Sequence, residues 1–425
     1  PLVTLKQNFC PSPWFHMRIN NAGHYEYCRW ADKSQRIHAP HIQSVSPQEF
    51  FQQHMTPIRQ QLLAGEQPQG CGECAVMEQH NKVSGRQKQL LKVGVRVEQF
   101  EKTLISSPWV NTFAADDFDQ LPQDWQIDLG NYCNSACVFC NPHSSSRLAT
   151  EWQRIGFSQS MPPANWTDEP ELVQRFIDTL TQSLHIQYLH FIGGETLITP
   201  AFKTILGALV QAGLNRTATI GFTTNLTVWD TDVVNLLKQF HGVNLGMSVE
   251  SFEIVNDYVR WPSKLPVVLE NLNRWQELAS QQGWLLQLRT TPTLFTVGSL
   301  LSIYNYAWSR GICVESCNFL TEPAIMRPSV LPPKYRSAIV TRMRTWLDQH
   351  PASGDTVINI RDPNVSQQQN YQDLQSYVNY LENMPDESNQ LPDLVKFLKQ
   401  LEASRGNSIL TYLPEYEELF RSAGY

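Results

Sequence analysis

Near residue 121 the rhythm of apolar and polar positions changes. Beyond it, short runs of strand character alternate with stretches whose apolar residues recur every three or four positions. The runs are WQIDLG at 125–130, IQYLHFI at 186–192, ATIGFTT at 218–224, LGMSVE at 245–250, LLQLRTT at 285–291 and ICVESC at 312–317. Amphipathic helices fall between them, among them 201–213, 231–240 and 267–283. Several end at Gly, which accepts the left-handed conformation just past a helix. Six strand–helix units in succession predict an α/β fold with a parallel sheet and right-handed crossovers, either open or closed into a partial barrel. Either form gathers ligands at the carboxyl ends of its strands.

The flanks read differently. Few helical periods, many turn residues and four cysteines predict a small Cys-rich domain, β-rich or loop-rich, over 1–80. A helical connector is expected over 81–120, the barrel over 121–330, and a helical carboxyl-terminal region over 331–425, after the Pro-rich bend RPSVLPP. Internal repeats and low-complexity tracts are absent from the sequence.

Composition removes some classes of function. The 425 residues carry 40 acidic and 33 basic side chains, a net charge of −7, with no basic stripe of the kind nucleic acid demands. Apolar residues make up 41% and charged residues 17%, the balance of a folded chain. No apolar run reaches the roughly 18–20 residues of a membrane span. The chain opens on Pro1 without an initiator Met or a signal-peptide pattern. The expectation is a trimmed start and a soluble cytoplasmic protein, with neither nucleic acid nor membrane as a partner.

Cysteine placement carries the chemistry. Nine cysteines stand at 10, 28, 71, 74, 133, 137, 140, 313 and 317. An odd number in tight clusters, without a secretion signal, points to metal rather than to disulfides. Cys133, Cys137 and Cys140 follow the first barrel strand directly. Three thiolates so spaced can grip three corners of a cubane and leave the fourth iron without a protein ligand. A zinc knot with a distant fourth ligand, or a plain Cys-rich loop, also satisfies the spacing.

With Phe139 ahead of the last cysteine, this segment resembles the CxxxCxxC signature of the radical S-adenosylmethionine (SAM) superfamily. The likeness continues along successive strand ends. Gly193-Gly194-Glu195 matches that family's GGE, and Thr223-Thr224-Asn225 is similar to its TNG segment, with Leu226 in place of Gly. Ser248 and Glu250 resemble its SxD, with Glu replacing Asp, and Arg260 stands where relatives carry an Arg near the methionine carboxylate. The resemblance implies a partial (β/α)6 TIM-like barrel. It also implies a 4Fe–4S cluster on Cys133, Cys137 and Cys140, and SAM held by Phe139, Gly193, Gly194, Glu195, Thr224, Asn225, Ser248, Glu250 and Arg260. A 5′-deoxyadenosyl radical would then take hydrogen from a substrate.

Cys10, Cys28, Cys71 and Cys74 form a C-x(n)-G-x4-C…C-x2-C pattern that resembles the twitch or SPASM auxiliary-cluster module of the same superfamily, here ahead of the barrel. That implies a second 4Fe–4S cluster; a four-thiolate zinc site is the alternative. Cys313 and Cys317 are left over. Period-two alternation places them with Glu315 on one face of the sixth strand, so both are candidate catalytic thiols. Cys317, nearer the mouth, is the candidate hydrogen donor, and buried inert thiols are the alternative. Relatives with both modules often modify ribosomally made peptides. The expected partners are therefore a precursor peptide, a separate leader-peptide recognition protein, and an electron donor such as flavodoxin or ferredoxin. Epimerisation of L- to D-residues at Cα is the leading expectation. Splicease-type excision, cross-linking or other oxidative maturation, and small-molecule dehydrogenation are the alternatives. Trp109, Trp166 and Trp261 lie in predicted loops that could frame a groove.

Overall fold

The structure, a computed structural model, describes residues 8–29, 31, 39–79, 83–92, 121–157, 162–183, 185–352 and 366–425, and only the backbone of Lys92, Ser316 and Cys317. Six parallel strands form where the alternation predicts them. They are β3 (Asp124–Asp128), β4 (Tyr188–Ile192), β5 (Thr219–Thr224), β6 (Gly242–Ser248), β7 (Leu285–Thr290) and β8 (Cys313–Cys317). Two more strands come from the amino-terminal segment, β1 (His16–Ile19) and β2 (Tyr25–Glu26). The sheet thus has eight strands in the order β2-β1-β3-β4-β5-β6-β7-β8. β1 runs parallel to β3, with His16 opposite Asp124 and Ile19 opposite Ile127, and β2 pairs antiparallel to β1.

The helices between strands cover the outer face. Pro170–Gln182 buries Leu172, Val173, Phe176, Ile177 and Leu180, a one-sided stripe, and starts on a proline whose missing N–H costs nothing there. Phe176 packs edge-on against Trp125 of β3 and against Trp166. The expected helices form as Pro200–Gln211, Thr231–Leu237 and Leu265–Gln282. The last is capped by Gly283 at φ 68°. The carboxyl-terminal region is helical as expected, in Pro333–Gln349, Ser366–Glu382, Leu391–Arg405 and Glu417–Ser422.

The inner face of the sheet is polar. Alternation turns Trp125 and Ile127 outward and leaves Asp124, Gln126 and Asp128 inside. Arg18 answers two inward carboxylates at once: its Nε donates to Asp128 Oδ2 at 3.1 Å, and its Nη1 lies 3.0 Å from Glu26 Oε2. His16 Nδ1 meets Asp124 Oδ1 at 3.1 Å, and Arg29 Nη2 donates to the same oxygen.

The amino-terminal segment holds more helix than its pattern predicts, in Thr56–Ala64 and Gly72–Gln79. The reason is physical. Thr56–Ala64 buries only Arg59 and Leu62, and Gly72–Gln79 fully buries nothing, so neither writes an apolar stripe into the sequence. Contacts hold the first: Arg59 donates to Pro13 O and Phe51 O at 3.0 and 2.7 Å. Of the expected connector, Gly85–Lys92 is helical. The remainder, with Trp109, lies outside the described residues. Among the described residues, no helix is long and apolar enough to cross a membrane.

Candidate functional site: a cysteine loop at the barrel mouth

The loop bearing Cys133, Cys137 and Cys140 leaves the carboxyl end of β3 and is fastened on four sides. At the end of β4, Gly194 N donates to Gly130 O at 2.9 Å and Glu195 N to Tyr132 O at 2.6 Å. No side chain fits between these backbones, because a Cβ on Gly194 would lie 2.2 Å from Tyr132 O and one on Gly193 would lie 2.8 Å from Gly130 O. The glycine pair therefore permits close approach to the loop itself. At the end of β5, Asn225 Nδ2 donates to Asn134 Oδ1 and Ser135 Oγ at 2.9 and 3.1 Å. A short ladder follows: Ala136 N donates to Trp261 O at 2.7 Å and Val138 N to Val259 O at 2.9 Å. Finally, Ser145 caps the helix Ser146–Arg154 while its hydroxyl donates to Ser135 O at 2.7 Å.

Leu226, the residue in the expected glycine position, keeps the glycine conformation. It has φ 63°, the sole positive value for a non-glycine among the described residues. A left-handed leucine costs about 1–2 kcal/mol. Its N–H donates to Thr224 Oγ1, its carbonyl accepts from Asn271 Nδ2 at 2.9 Å, and its side chain is fully buried.

Both mouth carboxylates are buried. Glu195 accepts from Thr224 Oγ1 at 2.8 Å, Asn225 N at 2.6 Å and Leu197 N at 3.2 Å. Burial nonetheless raises its pKa above the ordinary carboxylate range. Glu250 is engaged on both oxygens, by Arg260 Nη1 at 2.9 Å on one, and by Thr290 Oγ1 and Thr291 N at 3.0 and 2.7 Å on the other. Burial raises it as well, with Arg260 opposing. Glu250 thus fixes Arg260, and the half-buried Ser248 stands before it at the end of β6. Burial works to lower the Arg260 pKa, but Cys137, Glu250 and Cys133 together hold it above its usual value. Its Nε is buried without a partner. Burial and the neighbouring thiols push Cys133 and Cys140 up to about 12, and Phe139 packs half-buried between the loop and the core.

The donor chemistry fits the group that the resemblance implies. Three thiols on one loop feel each other's charge, and a buried guanidinium N–H beside them lacks an acceptor. Among the described residues, no three His, Cys, Asp or Glu side chains gather closely enough to hold a single metal ion. Residues 127–282, from β3 through the helix Leu265–Gln282, match the family model of the radical SAM superfamily. Over that segment the chain is similar to radical SAM enzymes.

Solved structures that align with this chain include SuiB from Streptococcus suis, 12% identical over 60% of this chain and 53% of that one, with a TM-score of 0.32. SuiB bound to its precursor peptide SuiA aligns over 82% and 71% at 11% identity and TM-score 0.36. The protein titled anSMEcpe, with bound AdoMet, aligns over 53% and 60% at 15% identity and TM-score 0.37. The chain spans 53–60% of the length of most of these structures. No curated protein matches it.

Away from the barrel mouth, the structure brings Cys10, Cys28, Cys71 and Cys74 together around one cavity of about 90 Å³. Cys10 and Cys28 flank the β1–β2 hairpin, Cys71 and Cys74 bracket the start of helix Gly72–Gln79, and Gly23 makes the left-handed turn between the two strands at φ 85°. Burial and the other three cysteines raise the Cys10 thiol well above its usual pKa. Tyr27 lines the same cavity, its hydroxyl donating to Gln69 O at 2.7 Å and lying 3.9 Å from Cys71 Sγ.

The two leftover cysteines are treated differently by the sheet. Cys313 opens β8 at its amino end, opposite Gln287, buried and pushed up to about 12 by that burial. Cys317 closes the strand at the mouth opposite Thr290, the residue that bonds Glu250. A register shift opposite Leu288/Arg289 adds one residue to β8, so strict alternation no longer connects Cys313 to Cys317. The side chain of Cys317 lies outside the described residues. Trp166 corrects the groove expectation: it is buried, with its Nε1 donating to Asp128 O at 2.8 Å. Trp261 lies beneath two guanidinium groups, those of Arg147 and Arg405.

Sequence reasoning missed the charged lining of the barrel interior. Arg289 Nη1 donates to Thr223 Oγ1 at 2.7 Å and its Nη2 pairs with Glu315 at 2.6 Å. Burial works to raise Glu315, but Arg289 and Lys88 overcome it and hold its pKa low. His190, 3.1 Å from the Tyr188 hydroxyl, is kept neutral by burial and by Arg289. The signal was present in the polar alternate positions of β3 and β7.

Proposed function

We propose that this chain is a radical SAM enzyme that modifies a polypeptide, with Cys133, Cys137 and Cys140 holding one 4Fe–4S cluster and Cys10, Cys28, Cys71 and Cys74 holding a second. One observation carries the reading: four thiols distant in sequence converge on one cavity, built on the hairpin that extends the barrel's own sheet. When bound, the clusters and SAM would supply a 5′-deoxyadenosyl radical for hydrogen abstraction and a one-electron acceptor. The chain's own residues do the rest. The buried Glu195 offers a carboxylate to the ammonium of a methionine moiety, and the unpartnered Nε of Arg260 offers a donor to its carboxylate. The network around Asn225 and the glycine pair fastens the cysteine loop to the ends of β4 and β5.

SuiB was solved with a precursor peptide and anSMEcpe with a peptide, which makes a precursor peptide the substrate class to try first. Two outcomes are separable. Epimerisation at Cα requires a hydrogen donor, for which Cys317 is proposed on its backbone position at the mouth beside Thr290. An oxidative outcome, cross-linking or excision, requires an electron acceptor, and the four-cysteine cavity favours this second reading. A leader-recognition protein and a flavodoxin or ferredoxin donor are proposed as partners of either.

Anaerobic reconstitution should load roughly eight irons per chain, four per cubane. Cys71→Ala with Cys74→Ala should halve that. A colourless wild-type protein, or an undiminished iron content in the double variant, sinks the two-cluster reading. Incubation in deuterated water with a short peptide translated from a reading frame neighbouring the gene separates the outcomes. One added deuteron, lost in Cys317→Ala, marks epimerisation, and a loss of mass marks oxidation or excision. A peptide returned unchanged, despite SAM cleavage, rejects that substrate class.

A further inference from the structure

The cluster loop is held from a direction that its own barrel does not explain. Arg405 ends the helix Leu391–Arg405 and lies 254 positions from Glu151, yet its Nε and Nη2 donate to the two Glu151 carboxylate oxygens at 2.9 and 2.6 Å. The same Nη2 donates to Ala136 O, the residue before Cys137, at 2.6 Å. The Arg405 side chain is 0% exposed and that of Glu151 4%. Its guanidinium lies 4.8 Å from the centre of the Trp261 ring, whose carbonyl accepts from Ala136 N. Ala136 is therefore gripped on both its N–H and its C=O.

Shape alone does not demand this. A buried ion pair is worth little against an apolar replacement of similar volume, because desolvating two charges offsets most of their attraction. Here the pair is oriented. Its positive end faces the loop through the Nη2 bond to Ala136 O, one residue from Cys137. The Nη1 of Arg405 is buried without a partner.

We propose that Arg405 is a positioning residue for the radical SAM cluster loop, and that its charge makes the group held by Cys133, Cys137 and Cys140 easier to reduce. This rests on the proposed function, since it presumes that a cluster occupies those thiols. A cation near a site that gains an electron stabilises the reduced state, and in partly buried surroundings a unit charge shifts an equilibrium by about tenfold. The carboxyl-terminal helix thereby becomes part of the redox site, which docks through Arg405 and through Glu402, the acceptor of the Tyr258 hydroxyl at 2.9 Å.

The test is a redox titration of the anaerobically reconstituted full chain, followed in the paramagnetic signal that Cys137→Ala abolishes. Iron content and melting temperature are recorded in parallel. Arg405→Gln should lower the ratio of reduced to oxidised cluster about tenfold at fixed ambient potential, equivalent to about 59 mV for one electron. Arg405→Lys, which keeps the charge but loses the fork, should stay near wild type in potential while melting lower. Glu151→Gln removes the opposing charge and should shift the potential upward. Full iron with an unmoved potential in Arg405→Gln overturns the inference. So does a downward or absent shift in Glu151→Gln, which decides the matter even if Arg405→Gln fails to assemble. A wild-type chain with no cubane signal instead refutes the proposed function on which this stands.

Discussion

Single residues at the mouth are constrained by backbone approach and by burial, and each constraint has a measurable consequence. Gly194→Ala forces a Cβ to within 2.2 Å of Tyr132 O, so either β4 or the cysteine loop must shift. The expected outcome is a loss of about 1–3 kcal/mol in urea unfolding, with reduced iron at the barrel site. Gly207→Ala, in helix Pro200–Gln211 with nothing within 4 Å of its added Cβ, is the matched control and should be neutral or stabilising. Equal effects in both variants would dismiss the steric account. Glu195 yields a pH prediction. Burial raises its folded pKa, so the folded chain holds that proton more tightly than the unfolded one. Its linkage therefore makes the ligand-free chain lose stability as pH climbs from about 4 through the raised value. Glu195→Gln should flatten that decline in melting temperature, and parallel curves would reject the assignment. At this scale the strand-end placement of Gly193, Glu195, Thr224, Asn225, Ser248 and Glu250 was legible in the sequence, because each stands at or just past the end of a strand-like run. The commitment of Glu250 to Arg260 was not, because its partners Thr290 and Thr291 come from the next strand.

At the scale of elements, the β1–β2 hairpin is the departure that matters. It joins the sheet through β3 and places Arg18 between Asp128 and Glu26 inside it. Removing one partner from a buried charge cluster leaves the others uncompensated. Arg18→Met should accordingly cost about 3–5 kcal/mol in chemical denaturation. It should also loosen the hairpin that carries Cys10 and Cys28, seen as faster amide exchange at β1 and β2. A cost under about 1 kcal/mol, the size of an exposed ion pair, would show that the network is not buried in solution. The hairpin was missed because β1 is four residues long and follows the prolines at 11 and 13. Strands of that length leave too few alternations to separate from a loop. The six barrel strands were legible for the converse reason: each is followed by an amphipathic helix, and the repeat confirms its members.

For the whole molecule, one hydrophobic cluster runs from Met17 in the hairpin, through the barrel, to Phe420 in the last helix. The amino-terminal cysteine segment, the barrel and the carboxyl-terminal helices thus share a core, although their sequence patterns divide them. The chain by itself determined what local periodicity and fixed spacing can encode. These were six strand–helix units, the helical carboxyl-terminal region, and a three-cysteine loop followed by motifs at successive strand ends, in the order that the radical SAM resemblance implies. Tertiary structure alone decided which distant residues became neighbours. It closed four thiols from positions 10 to 74 around one cavity, inserted the extra residue that breaks the alternation of β8, and set Arg405 against Ala136. Spacing rules reach only as far as a turn of helix or a pair of strands, whereas those contacts depend on how finished elements pack. No period in the sequence records that packing.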